Sequence, residues 1–261
     1  MTDKEKILRY FKASGDEKIA VELLNLATKV AKNRKYSVSD FLDPHGVNVA
    51  EIIASNFENI KFQAFGGFDN AERKCIAFIS EDYYGSIEFP ISCFQVEWDK
   101  RYYSLNHRDI LGAFMGLGAK RELIGDIVFI PEGAQFVATA NFQQYILSNL
   151  VKIGAACVNL KVVAQEDLKQ KEEKVKIIKA TVSKLRLDSV AAAGFGVSRS
   201  RMAEEIKGLN VKLNWKEVKS ASQAVSEGDV FSFRGRGRVE FSEITGNTKK
   251  GRIGIVLKRF I

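Results

Sequence analysis

"RLDSVAAAGFGVSRSRMAEEIKGLNVKLNW", residues 186–215, is the stretch that decides how the C-terminal third folds. Leu187, Val190 and Ala191 share one face of a helix that Gly194 closes, and the chain restarts past Gly196. Ser198 is placed to cap a second helix, from about Arg199 to Lys207, because its hydroxyl can accept from a first-turn N–H. Ala203 and Ile206 turn toward the first helix, Gly208 ends the second, and "NVKLNW" begins a strand. "SEGDVFSFRG", residues 226–235, supplies a turn and another strand.

One feature works against the second helix. Arg199 and Arg201 stand in its first turn, where unpaired N–H groups already leave positive charge, and each cation there costs about 0.3 kcal/mol or more. The same N–H groups attract anions. The two arginines therefore read as a phosphate-binding corner that stabilises a complex rather than the fold. Lys184 and Arg186, read as part of the preceding helix, extend this corner, and Lys212, Lys216, Arg234, Arg236 and Arg238 continue it into one basic surface. The last three alternate with glycines and so share a strand face; a solvated basic edge is the other reading.

The charge distribution agrees. The chain has 261 residues and a net charge of +8. Residues 181–261 hold 16 Lys and Arg against 8 Asp and Glu, so the first 180 residues, with 24 of each, are neutral. A basic module on a neutral body points to a polyanionic partner. No apolar run approaches the roughly 18 residues of a membrane helix. The charged start "MTDKEKILRYFK" lacks the apolar centre of a signal peptide, so a cytoplasmic protein with no membrane partner is expected. Cys75, Cys93 and Cys157 sit far apart in apolar settings and read as buried reduced thiols. With only His45 and His107 besides, no metal site and no cofactor are expected.

Upstream, the middle of the chain is regular. "ISCFQVEWD" (91–99) reads as a strand and "NHRDILGAFMGLGAKRELI" (106–124) as a helix, with Asn106 or Asp109 its cap. "GDIVFI" (125–130) and "GAQFVATA" (133–140) read as strands, "NFQQYILSNLVKIG" (141–154) as a helix and "ACVNLKVVA" (156–164) as a last strand. The order β-α-β-β-α-β is the ferredoxin-like arrangement. The aromatic signature of an RNA-recognition motif is not found in it. The polar stretch "QEDLKQKEEKVK", residues 165–176, marks a boundary. Before the middle domain, "DEKIAVELLNLATKVAKN" (16–33) carries Ile19, Leu23, Leu26 and Val30 on one helical face. "PHGVNVAEIIASNF" (44–57) is a helix opened by Asp43-Pro44, and "IKFQAFGGF" with "RKCIAFISE" suggests a hairpin around Gly66-Gly67. That glycine pair makes either a tight turn or a small-molecule loop.

The run from Thr181 to Phe241 resembles the alpha-L RNA-binding domain of the ribosomal protein S-four type. The resemblance implies phosphate contacts to structured RNA from Arg186, Ser198, Arg199, Ser200, Arg201 and Lys207, with Lys212 and Asn214 following at the loop. Trp215 stands where many members have glycine; it either stacks on a base or packs. "DFLDPHG", "GGFDNAER", "NHRDILGAFMGLGAKRELIGDI" and "EGDVFSFRGRGR", in this order, resemble the YlmH family of bacterial RNA-binding proteins. That resemblance implies a factor of the large ribosomal subunit that handles stalled peptidyl-tRNA complexes.

Catalytic readings are weak. His-Arg-Asp at 107–109 lacks the asparagine a kinase loop needs, since Phe114 stands there, and His107 and Asp109 point about 200° apart on a helix. Asn106, His107 and Arg108 remain a possible secondary RNA contact. Asp188 reads as a surface or capping residue.

The sequence therefore predicts an α+β protein: an N-terminal α/β domain (1–85), a ferredoxin-like, RRM-like domain (86–165) and an alpha-L RNA-binding domain (181–261). The expected function is non-catalytic binding of structured RNA, rRNA or tRNA, on the large ribosomal subunit, by a monomer without DNA specificity. The alternatives are an RNA-modifying enzyme whose body acts on what the basic tail captures, and a protein-interaction adaptor docking through its N-terminal helices.

Overall fold

The computed structural model describes residues 3–33, 35–169, 175–248 and 251–260. The chain divides into two compact units, Met1–Lys171 and Glu172–Ile261. Among the described residues no helix is long and apolar enough to cross a membrane.

The first unit begins with α1 (Asp3–Ala13), α2 (Glu17–Asn33), β1 (Tyr36–Val38), α3 (Pro44–Ala54), β2 (Ile60–Phe65) and β3 (Cys75–Ser80). The three strands form an antiparallel sheet in the order β1-β3-β2. The helices close over it on Phe11, Leu23, Leu24, Val49, Ile53 and Phe78. Asp43 caps α3 as expected, its carboxylate accepting from Gly46 N at 2.9 Å. The three-residue β1 is too short for an alternating pattern to mark it in the sequence.

β4 (Ile91–Trp98), α4 (His107–Gly116), β5 (Ile124–Ile130), β6 (Gly133–Thr139), α5 (Gln143–Asn149), β7 (Lys152–Ile153) and β8 (Ala156–Val163) follow. Their sheet has the order β5-β6-β4-β8-β7, antiparallel throughout. Without the short β7 this is the 4-1-3-2 order of a split βαβ fold. Both helices lie on one face, over Phe94, Val96, Phe136, Ile110, Phe114 and Ile146. They are shorter than their apolar patterns suggest. α4 stops before Gly118, whose φ of +79° turns the chain, and α5 gives way to the β7–β8 hairpin around Gly154, φ +59°.

The other face of this sheet packs on the N-terminal part through a small core of Phe41, Cys75, Cys93 and Val137. The segment after Gly66-Gly67 is shaped by that contact. A Cβ on Gly67 would lie 2.8 Å from Val137 Cγ2, and the backbone N–H groups of Glu72 and Arg73 donate to the Asp126 carboxylate at 2.6 and 3.2 Å. Arg73 itself donates to the carbonyls of Phe41, Ile124 and Arg121. Cys75 and Cys93 are buried as expected. Cys157 is not: as the second residue of β8 it faces away from the helices and is exposed.

The second unit comprises β9 (Val175–Val182), α6 (Leu187–Phe195), α7 (Arg199–Lys207), β10 (Val211–Leu213), β11 (Lys216–Glu217), β12 (Val230–Phe233), β13 (Gly237–Asn247) and β14 (Ile253–Phe260). A single sheet runs β11-β10-β12-β13-β14-β9. A domain start at Thr181 would cut β9, which pairs along its full length with β14. α6 and α7 cover one face, burying Leu187, Val190, Phe195, Met202 and Ile206 against Val211, Phe231, Val239, Phe241 and Leu257.

Candidate RNA-binding interface

α6 and α7 meet at a tight corner, closed differently from the expectation. Gly196, with φ +65°, caps α6 in the left-handed region. Gly194 lies inside α6 and is there for packing, since a Cβ would sit 2.6 Å from Val239 Cγ1. Ser198 caps α7, its Oγ accepting from Arg201 N at 3.2 Å.

Asp188 lies at the centre of the corner and overturns its reading as a surface residue: it is 3% exposed. Arg186, which precedes α6 rather than lying in a helix, grips it through Nε to Oδ1 at 3.2 Å and Nη2 to Oδ2 at 3.0 Å. Arg199 Nε reaches Oδ2 from across the corner at 3.0 Å, and Ser189 Oγ donates to Oδ1 at 3.2 Å. Burial pushes the Asp188 carboxyl up, but hydrogen bonds from Arg186 and Arg199 outweigh it and leave the group below its ordinary value. The first turn of α6 adds its own partial positive charge. Arg199 thus has a part in the fold: it ties α7 to α6. The corner holds two guanidiniums against one carboxylate and stays cationic, with Arg199 half exposed.

Arg201 points outward, 55% exposed, with Nε 3.8 Å from Glu205 Oε1 one turn on. Ser200 is exposed beside the cap, its Oγ 3.2 Å from that of Ser198. Lys207 is exposed in the last turn of α7, where a cation suits the helix dipole. Lys184 is exposed on the approach to α6.

The remaining basic residues do not continue this corner as one surface. Val211 and Leu213 point into the core, so Lys212 between them faces away from the helices. Lys212 pairs with Ser232 and Ser232 with Arg238, which puts Arg238 on that same outer face, its guanidinium 5.1 Å from the Phe260 ring centroid. Arg234 and Arg236 share no strand face with Arg238, because Gly235 (φ +77°) and Gly237 (φ +85°) bend residues 234–236 into a turn. Lys216 stands opposite Leu213 across the β10–β11 hairpin. Asn214 is consumed internally: its Nδ2 donates to Asp229 Oδ1 and its Oδ1 accepts from Val230 N, both at 2.8 Å.

Asn214 and Trp215 form the two-residue tip of that hairpin, with φ of +49° and +64°. Positive φ at both positions is a type I′ turn, which favours glycine at the second. In the first unit, Asn106 caps α4 in a capping box with Asp109, and His107 and Arg108 are exposed in its first turn.

A two-helix corner of this kind, backed by a β-sheet and rich in arginine, places the second unit in the S4 class, and the S4 domain model matches residues 185–231. The N-terminal model of YlmH matches residues 16–83, and the model described as "Putative RNA-binding domain in YlmH" matches 85–167. The chain is 34% identical over 232 residues, 88% of its own length, to the ribosome-associated protein quality control protein P2 of Bacillus subtilis, covering 90% of it. The chain belongs to the YlmH family. A solved structure, the cell division protein ylmH of Streptococcus pneumoniae, shares the fold at a TM-score of 0.50 and 24% identity, over 59% of this chain and 95% of that one.

Proposed function

We propose that this protein binds structured RNA on the large ribosomal subunit, rRNA or peptidyl-tRNA, as a non-catalytic factor acting on stalled complexes. The observation that carries the reading is the corner itself. Two arginines converge on one buried carboxylate beside a helix N-terminus, while Arg201 and Ser200 stand exposed next to them. A pair of guanidiniums fixed in space presents N–H donors to phosphate oxygens with little ordering left to do. The deep, narrow major groove of an RNA helix hides its bases, so backbone shape and charge dominate recognition. The relative's name, ribosome-associated protein quality control protein P2, supplies the ribosomal setting.

Co-sedimentation with purified ribosomal subunits across a salt series tests this. Wild type should pellet with the large subunit and be released as salt rises, through loss of counterion release. Arg199→Ala/Arg201→Ala should lose most of that binding. Undiminished pelleting of the double variant would remove the corner from the interface. Failure of wild type to pellet with either subunit, with binding to free tRNA instead, would turn the search to the RNA-modifying alternative.

A further inference from the structure

In an RRM-type domain, unpaired bases stack on aromatic side chains of the sheet face that the helices leave open. Among the described residues that face offers none. Cys93 on β4 and Val137 on β6 are covered by Phe41 and Cys75. The next pair along is Gln95 and Gln135, and the Gln135 amide donates to Gln95 Oε1 and to Asp167 O, both at 3.1 Å. Its carbonyl accepts from Lys169 N at 2.7 Å, so the segment after β8 is tied across the face. Beyond it, Glu97 accepts from Gln95 and Lys161.

Phe94, Phe114 and Phe136 pack in the core under the helices and Phe142 pairs with the exposed Tyr145 at α5, while a further group of aromatic side chains gathers at one end of the sheet. The loop between β4 and α4 folds onto the β5–β6 turn, where Lys100 Nζ donates to the carbonyls of Ile130 and Pro131 at 2.9 and 2.7 Å. Trp98 Nε1 donates to Tyr103 O at 3.1 Å, fixing the loop on the strand it leaves. Trp98 meets Phe129 of β5 edge to face at 6.2 Å. Tyr102 is 76% exposed, Phe129 42% and Tyr103 37%. Cations are set against these rings: Lys100 Nζ lies 5.3 Å from the Trp98 centroid, and Arg101, held by Asp99, lies 5.5 Å from that of Tyr102. Arg108 is exposed just beyond, in the first turn of α4.

Exposed rings interleaved with lysine and arginine match single-stranded RNA, whose bases stack on any ring face and whose backbone seeks cations. We propose that the middle domain carries a second RNA site here, at the β4–α4 loop with Phe129, taking unpaired nucleotides. Tyr102 is its principal stacking ring, Tyr103 and Phe129 flank it, and Lys100, Arg101 and Arg108 meet the backbone. The site rests on the RNA-binding reading above but uses a surface that neither the helical corner nor the RRM-type sheet face supplies.

The test measures binding of the full chain to two probes: a labelled oligouridylate of about twelve nucleotides, within the span of known single-strand sites, and a fully paired RNA hairpin. Tyr102→Ala/Tyr103→Ala should weaken oligouridylate binding about fivefold or more, the loss of at least one base stack. Its salt dependence should stay unchanged, since no phosphate contact is removed. Tyr102→Phe should retain binding, and hairpin affinity should not move. Arg199→Ala/Arg201→Ala should weaken the hairpin more than the oligouridylate. The second site is overturned if the tyrosine pair is silent on oligouridylate, or if Gln95→Ala/Lys161→Ala on the sheet face takes its effect. It is overturned equally if the loop, silent toward RNA, proves to be needed for a protein partner. A wild type that binds neither probe would sink the RNA-binding reading as well. Hairpin binding that is lost in the arginine variant, beside a silent tyrosine pair, would sink only the second site.

Discussion

Arg199 Nε and Asp188 Oδ2 lie 3.0 Å apart across the turn between α6 and α7, and Arg186 Nη2 holds the same oxygen at 3.0 Å. An arginine at a helix N-terminus is unfavourable in isolation. Opposite a buried carboxylate it becomes the link that fixes the corner. Asp188→Asn tests this in a direction that charge alone gets wrong. The variant is one unit more positive, so long-range attraction to RNA rises. Its arginines lose their common anchor, however, and we expect RNA binding to weaken and the unit to lose about 1–3 kcal/mol of stability, the worth of hydrogen bonds to a charged group. Filter binding together with urea unfolding decides it; tighter binding by the variant would mean that the anchor does not matter.

The same carboxylate gives the second unit an acid-sensitive element. Its folded pKa lies below the ordinary value, so its contribution to stability is complete above the unfolded pKa and is lost as pH falls through the folded one. Stability should hold from neutrality down to about pH 5 and decline below about pH 4, where unfolded aspartates protonate. Asp188→Asn should flatten that decline. Trp98→Phe leaves Trp215 as the fluorescent reporter of the second unit, since the chain has two tryptophans. A decline of equal steepness in the variant would assign the acid sensitivity to other carboxylates.

Gly194 and Gly196 should respond to alanine for different reasons. At Gly194 a Cβ meets Val239 Cγ1 at 2.6 Å and Leu257 Cδ1 at 3.3 Å in a closed core. Overpacking there should cost about 1–3 kcal/mol, more than the helix propensity of alanine returns. At Gly196 nothing stands within 4 Å, but φ is +65°, and the left-handed backbone alone costs about 1–2 kcal/mol for an L-residue. Thermal unfolding of both alanine variants separates the mechanisms if a Val239→Ala background rescues only the first.

These two glycines also show where the sequence stops being legible. Periodicity placed Leu187, Val190 and Ala191 inward and Ser198 at its cap, because those features repeat within one or two turns of a helix. It could not assign the stop between Gly194 and Gly196, since the difference lies in Val239, a strand distant in sequence. Asp188 reads as a surface residue for the same reason: burial depends on what crosses over, and Arg199 arrives from the next helix. The β-α-β-β-α-β order was visible in alternating runs, whereas the covering of its sheet face by Phe41 and Cys75 needs contacts between domains. The basic residues were found as a list, but strand alternation at Lys212 and the glycine bends around Arg236 divide them between separate surfaces.

The three cysteines should separate by reactivity. Burial pushes the Cys75 thiol up to about 12 and the Cys93 thiol up to about 11, so neither forms thiolate near neutral pH. Cys157 is exposed. One equivalent of maleimide should add to the native protein, at Cys157, with two more reacting only in denaturant. Fast native labelling of Cys93 would show that the small core with Phe41 and Val137 opens readily.

Trp215 poses the sharpest choice between fold and function. With Asn214 it forms a type I′ turn, and its φ of +64° is a backbone state that a bulky L-residue adopts at a cost. Glycine would remove that cost, about 1 kcal/mol or more. A side chain kept at such a position is retained by packing or by a ligand. Asn214 ties the tip to Asp229 and Val230. If the indole stacks on RNA, Trp215→Gly should weaken RNA binding about fivefold through loss of one stack, while the relieved backbone offsets the contacts the indole makes in the fold and leaves stability within about 1 kcal/mol of wild type. Urea unfolding and RNA titration on the same preparation read both numbers. Lower stability with unchanged binding would assign the indole to packing instead, and the α6–α7 corner would then bind RNA without help from this tip.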